Sequence, residues 1–340
     1  MDRPEAPRPP PDGAVPTWCG RVTASSYGSM PGVVSRADPS PGSLPVDERW
    51  PRAGHWLTAG AGEHPIDLAV LGVPTFAKSM HKAGTHATPA AIRRALYHYT
   101  TWCASRHVDL ADIWPWDVGD VDEPDRADGD WRARTTVLTA LAKSRLLVVL
   151  GGDGSATVPA MAVLDLARAG LVAVDVNYDL RDGARNTSAL RTLFEAGLEA
   201  ERVGHVGAAD WAVSRSHADE AKARGMQLLS RGTVAERGIG SCMREALDCA
   251  GAADGPVHVS FDLSVCDRAI APGCLESVPG GLSAAELRSA AFMAGLDPRV
   301  RSVDVVEVDA TADAADYRTV RLAALVVLEV AAGLALRPGT

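Results

Sequence analysis

The sequence predicts an α/β fold built on an eight-stranded, mainly parallel sheet. Three observations carry this. From Ile66 onward, short β-branched runs alternate with amphipathic helical stretches. Most of the eight strand-like runs are followed by a helical stretch, the crossover that neighbouring parallel strands require. Residues 146–150 (LLVVL) are apolar throughout, as expected of a strand covered on both faces. An open, doubly wound sheet fits better than a closed barrel, although periodicity does not separate the two. Such sheets bind ligands at the carboxyl ends of their strands.

The elements follow in order. IDLAVLG (66–72) is a strand, followed by a loop through His86 and a helix over 89–97. DVGDV (117–121) is a short strand before a helix over 129–142. LLVVLGG (146–152) precedes a helix expected from 155 to 168, and LVAVDV (171–176) precedes one over 188–197. RVGHVGA (202–208) leads to a helix ending at 223, and MQLLS (226–230) to another running through 249. VHVSFDL (257–263) precedes a long loop and a helix that Ser283 is placed to cap. VRSVDVVEV (300–308) precedes the last helix, over 317–335. Residues 1–62 differ: their prolines fix φ and withhold donors, so a disordered tail and an irregular arm are expected before a single domain over 63–340.

Composition narrows the function classes. Of 340 residues, 43 are acidic and 34 basic, a net charge of −9 that disfavours nucleic acid or an anionic membrane as partner. No apolar run approaches the roughly 18 residues of a membrane span, and the Pro-rich start has no signal-peptide core. The six cysteines form no C-x-x-C pair, so they read as reduced thiols of a cytoplasmic protein.

Five carboxylates stand at strand ends: Asp153 after the third strand, Asp175 and Asp179 around the end of the fourth, Asp262 at the seventh and Glu307 at the eighth. Converging acids repel and raise one another's pKa unless a cation lies among them. Either a hard metal ion with oxygen ligands or an organic cation such as a guanidinium satisfies that need.

At these residues the chain resembles the ureohydrolase superfamily of arginases, agmatinases and formimidoylglutamases. The resemblance spans roughly residues 66–336: LGVP at 71–74, GTHATPAAIR at 84–93, GDV at 119–121, GGDGS at 151–155, DVNYD at 175–179 and NTSALRTL at 186–193. SFDLSVCDRAIAPG at 260–273, PGGLS at 279–283 and DVVEVDA at 304–310 complete it. It implies a three-layer α/β/α, arginase-like fold, assembly into trimers or hexamers, and two manganese ions bridged by hydroxide. Against the family's G-G-D-H-S, the His ligand is here Gly154. Against D-A-H-x-D, Asp175 and Asp179 remain while the His is Asn177. Against S-F-D-x-D, Asp262 remains and its partner is Ser264. The proton-transfer His corresponds to Asn186, and the Glu that faces the substrate guanidinium is kept as Glu307.

Half the ligand set is thus replaced, including both imidazoles. A tight dinuclear site, and the hydroxide it generates, is not expected. The expected cofactor is none, or one residual divalent ion (Mg2+, Ca2+ or Mn2+) on Asp175, Asp179 and Asp262, completed by Asn177, Ser264 and water. The expected function is that of a pseudoenzyme: a binder of a small cationic amidino or guanidino molecule through Glu307, Asp153, His86 and Asn186, or a subunit of a homo-oligomer or of a mixed oligomer with an active relative. The alternative is a divergent enzyme cleaving a C–N bond of such a substrate, with Glu307 and Asp262 catalytic. His205 and His258, inside strands, read as core histidines, and His81 as a loop residue beside His86. Arg268 is a candidate to reach the vacated metal site, and Cys266 reads as a buried structural thiol.

Overall fold

The computed structural model describes residues 47–57, 64–80, 84–183 and 186–337. Most of the expected N-terminal arm, and His81, lie outside them; residues 53–57 of that arm form a short helix, α1 (Ala53–Leu57).

Eight strands form one sheet: β1 (Ile66–Val73), β2 (Pro115–Asp120), β3 (Ser144–Gly151), β4 (Gly170–Val174), β5 (Val203–Val206), β6 (Gln227–Leu229), β7 (Val257–Asp262) and β8 (Val300–Val306). Their order is β2-β1-β3-β8-β7-β4-β5-β6, and every pairing is parallel. The sheet is therefore open, settling what periodicity left undecided. The helices are α2 (Thr88–Ala95), α3 (Gly129–Lys143), α4 (Thr157–Met161), α5 (Ala189–Glu195), α6 (Arg215–Ala223), α7 (Arg231–Arg237), α8 (Ile239–Ala250), α9 (Ala284–Leu296) and α10 (Arg318–Ala335).

The two-residue period of a strand explains the three layers. Leu68, Val70, Leu146, Val148 and Leu150 face one core with residues of α2, α8, α9 and α10. The intervening Ala69, Leu71, Leu147 and Val149 face the other side, against α3 and α4. Burying each such Leu or Val contributes about 1.5–3 kcal/mol, so both faces of the central strands hold the sheet in place. Ser283 caps α9 as expected, in a reciprocal capping box with Glu286.

Two helix expectations are corrected. The helix expected over 155–168 ends at Met161. Beyond it, Asp165 organises a turn, its carbonyl accepting the Arg168 and Ala169 amides and its carboxylate the Ala167 amide. The helix expected to run through 249 is two, α7 and α8, separated at Gly238, whose φ of 78° is a left-handed conformation that breaks a right-handed helix.

Candidate functional site

Sheet order brings the sequence-distant acids together. Asp153, Glu307, Asp262 and Asp175 leave β3, β8, β7 and β4, which are consecutive neighbours. Register sets them at one height: Val305 pairs with Leu150, Val306 with Asp262, and Val174 with Phe261. At about 4.8 Å per strand spacing, the four strand ends span about 14 Å of one rim.

Tight turns hold these carboxylates. Asp175 Oδ1 accepts the Asn177 amide at 3.1 Å, and Asp262 Oδ1 accepts the Ser264 amide at 2.7 Å. Asp179 and Glu307 occupy left-handed backbone conformations, φ 48° and 62°. Such conformations cost a non-glycine residue about 1–3 kcal/mol and gather at functional sites. Beneath the acids lies a cavity of about 20 Å³ lined by Asp175, Asp179, Asp262, Ser260 and Thr157, room for about one water.

Burial and crowding shift every one of these acids the same way, with Arg181 opposing the shift at Asp179. Burial, then the Asp179 charge, raises Asp175 well above the usual carboxylate range. Burial, then Asp262 and Glu307, does the same to Asp179, and burial, then Asp175 and Glu307, to Asp262. Burial lifts Glu307 to about 7 against two hydrogen bonds that favour its charge. Burial also raises Asp153. A sixth acid, Glu276, joins the rim: its charge adds to the upward shifts of Asp175, Asp179 and Glu307. Sequence reasoning missed it because it lies in the loop after β7 rather than at a strand end.

The positions that the resemblance aligns with family histidines and ligands differ in their surroundings. Asn177 Oδ1 accepts the Asp179 amide at 3.0 Å while its Nδ2 donates to Glu276 Oε2 at 3.3 Å. Its side-chain amide thus ties its own loop to the loop that carries Glu276. Ser264, 1% exposed, turns its hydroxyl to the Asp262 carboxylate without a well-aligned hydrogen bond. Gly154 donates its amide to Glu307 Oε1 at 2.6 Å, and Asn186 Nδ2 donates to the same oxygen at 2.8 Å. Asp153 Oδ1 accepts from the Ser155 amide and hydroxyl, at 3.1 and 2.5 Å, and its Oδ2 is buried without a partner among the described residues.

Other candidates separate cleanly. His86 is exposed and packs on Phe76, ring centroids 5.0 Å apart, with no hydrogen bond to the rim acids among the described residues. Arg268 donates to the Cys274 carbonyl and so clamps its own loop instead of entering the rim. Burial pushes the Cys266 thiol up to about 12, leaving it protonated and inert. His205 is buried in β5, and burial lowers it to about 4. Neutral, its Nε2 donates to the Asn177 carbonyl at 2.6 Å and so supports the Asp175–Asp179 loop. His258 lies between Ser302 (2.7 Å) and Asp304 (3.0 Å). That Ser-His-Asp line is sealed in the core at 0% exposure, with no access for a substrate.

Among the described residues, no three His, Cys, Asp or Glu side chains are grouped to hold a metal ion. An open parallel sheet whose central strand ends carry a rim of acids defines the class, a ureohydrolase-type α/β protein. The arginase-family model matches residues 66–333, and the chain belongs to that family. A formimidoylglutamase of Halalkalibacterium halodurans is 29% identical over 303 residues, covering 86% of this chain and 95% of that protein. The crystal structure of formimidoylglutamase from Bacillus subtilis superposes with a TM-score of 0.81 at 26% identity, covering 87% of this chain and 96% of that one. Trypanosoma cruzi formiminoglutamase, solved with Mn2+, shares the fold with a TM-score of 0.76 at 23% identity, over 85% of this chain and 100% of that one.

Proposed function

We propose that this chain is an arginase-family protein that has given up the dinuclear manganese site and hydrolysis, and that it binds a small amidinium or guanidinium cation at its acid rim. One observation carries the reading. A Cβ at Gly154 would lie 2.9 Å from the Asn186 carbonyl oxygen and 3.4 Å from Glu307 Oε1, so this backbone leaves no room for the histidine that the family places there. The donor set agrees: among the described residues no imidazole is grouped with the acids, and the Asn177 side chain bonds Asp179 and Glu276. Without a metal pair there is no source of hydroxide near neutral pH, and Asn186, an amide, moves no proton.

The rim instead gathers acids whose ionisation is opposed by burial and by one another until a cation joins them, with no ion pair on Asp175, Asp262 or Glu307 among the described residues. A planar cation with several N–H donors is the complementary ligand. The 20 Å³ floor cavity is too small for it, so it engages the acids from the solvent side. In the cell the protein is cytosolic and acts as a homo-oligomer, trimer or hexamer, or beside an active relative; light scattering on the native complex distinguishes these assemblies. No described helix is long and apolar enough to cross a membrane.

The test is elemental analysis of the purified chain together with turnover on N-formimidoyl-L-glutamate and agmatine, with Mn2+, Mg2+ or Ca2+ added. The expected result is no tightly held transition-metal pair and no turnover. Two tightly held transition ions per chain with turnover overturn the reading. A second reading, a divergent amidinohydrolase with one metal or none, is favoured by a single feature: Glu307 near 7 suits a proton carrier. Turnover without a metal pair that disappears in Glu307→Gln or Asp262→Asn selects this reading.

A further inference from the structure

We infer that Gly154 and Asn186, two positions at which the family's histidines are absent, act as one clamp that positions Glu307 as the anchor for the cationic ligand. The inference rests on the ligand-binding reading above and assigns it a mechanism. Glu307 Oε1 receives two fixed donors, the Gly154 amide at 2.6 Å and Asn186 Nδ2 at 2.8 Å. The Glu307 amide is held in turn by the Gly152 carbonyl at 2.9 Å. Backbone and carboxylate are thus both tied, which secures a residue whose φ of 62° is otherwise strained.

The clamp is itself rigid. Asn186 is 2% exposed, its Oδ1 accepts the Met80 amide at 3.2 Å, and its own amide donates to the Lys78 carbonyl at 3.2 Å. These contacts fix which end of the side chain is NH2, because Oδ1 already serves as acceptor. Gly154 must be glycine for the segments to approach, since a Cβ there meets the Asn186 carbonyl at 2.9 Å. The contact is with the backbone of residue 186, so glycine at 154 sets how closely the two segments approach, and the Asn186 side chain separately supplies the second donor. A bare backbone amide and a side-chain amide now do for Glu307 what fixed donors do for any buried carboxylate: they favour its charge and set its plane. With Oε1 saturated by the clamp, Oε2 is the oxygen left to receive an N–H from a cation.

The experiment measures butylguanidinium binding to the full chain by calorimetry between pH 5.5 and 8.5, for the native protein, Asn186→Ala and Gly154→Ala, with folding checked by thermal unfolding. Losing one hydrogen bond to a charged acceptor predicts about tenfold weaker binding or more. The pH midpoint of binding rises in Asn186→Ala, because a donor that favours the ionised form is gone. Asp153, Asp175, Asp179, Asp262 and Glu276 also face Glu307 and contribute to the native profile, as does Arg181 through Asp179, so the readout is the difference between variant and native protein. A merely structural role leaves that midpoint unmoved. If both variants bind as the native protein does, with the same midpoint, the clamp is refuted while ligand binding stands. If the native protein binds no butylguanidinium and holds no transition-metal pair, the anchor falls while the loss of the manganese site stands.

Discussion

Replacing Glu307 with Gln should stabilise the ligand-free protein, and more so as pH rises. Its pKa moves from an ordinary 4.5 to about 7 because burial opposes its charge. A carboxyl raised on folding favours the native state below its unfolded pKa, and that contribution is lost as pH rises through about 7. The difference of about 2.5 pH units, at about 1.4 kcal/mol each, makes ionised Glu307 cost about 3 kcal/mol at pH 8. At pH 5 the same linkage leaves about 1 kcal/mol. Glutamine keeps an Oε1 to accept from Gly154 and Asn186 and removes the charge. Urea denaturation of native and Glu307→Gln protein at pH 5, 6, 7 and 8 should give a stability gain growing from about 1 to about 3 kcal/mol. Comparing the variant with the native protein at each pH cancels titrating groups that Glu307 does not perturb, His205 among them, while Asp175, Asp179 and Asp262, relieved of the Glu307 charge, add to the gain in the same direction. A gain that is flat across pH, or a destabilised variant at pH 8, refutes the electrostatic account of this rim.

Three further outcomes are expected. His205, lowered to about 4 from 6.5, gives stability that is present above 6.5 and lost as pH falls towards 4; His205→Phe should therefore flatten the acid limb of the stability profile between those values, measured by thermal unfolding. His258→Ala removes the partner of Asp304 within a fully buried network and should cost about 3–5 kcal/mol in urea denaturation, as removing one partner of a buried pair does; a cost under 1 kcal/mol would show that Asp304 finds another partner. Cys266, raised to about 12, and Cys274, raised well above its usual value, should resist a thiol-directed disulfide reagent at pH 8 until urea is added.

Much of the fold was legible in the sequence because its signals are local. A run such as LLVVL can be satisfied only by apolar neighbours on both faces, which in the structure are α3 and α4 on one side and α2, α9 and α10 on the other. Ser283 announced a helix start that the structure contains, and the structure adds Glu286 as its capping-box partner. The failures were local competition of another kind. Asp165 turns the chain by hydrogen-bonding its own neighbours, and Gly238 takes a φ that no helical period reveals. The candidate site was legible as a set of acids at strand ends and as departures from a family pattern, but not as a set of contacts.

The sequence by itself determined which residue types stand at the rim: Asp153, Asp175, Asp179, Asp262 and Glu307, with Gly154, Asn177, Ser264 and Asn186 where the arginase family has ligands and a proton carrier. Strand runs and the α/β class follow from periodicity, and the absence of those histidines follows from the resemblance to the family's motifs. Tertiary structure decided what these residues do to one another. It set β3, β8, β7 and β4 side by side, brought Glu276 to Asn177 across 99 residues, and closed Gly154 and Asn186 onto Glu307 across 153 and 121. Hydrogen bonds and unscreened charges act over a few ångströms, and sequence separation carries no information about that distance until the sheet order is known.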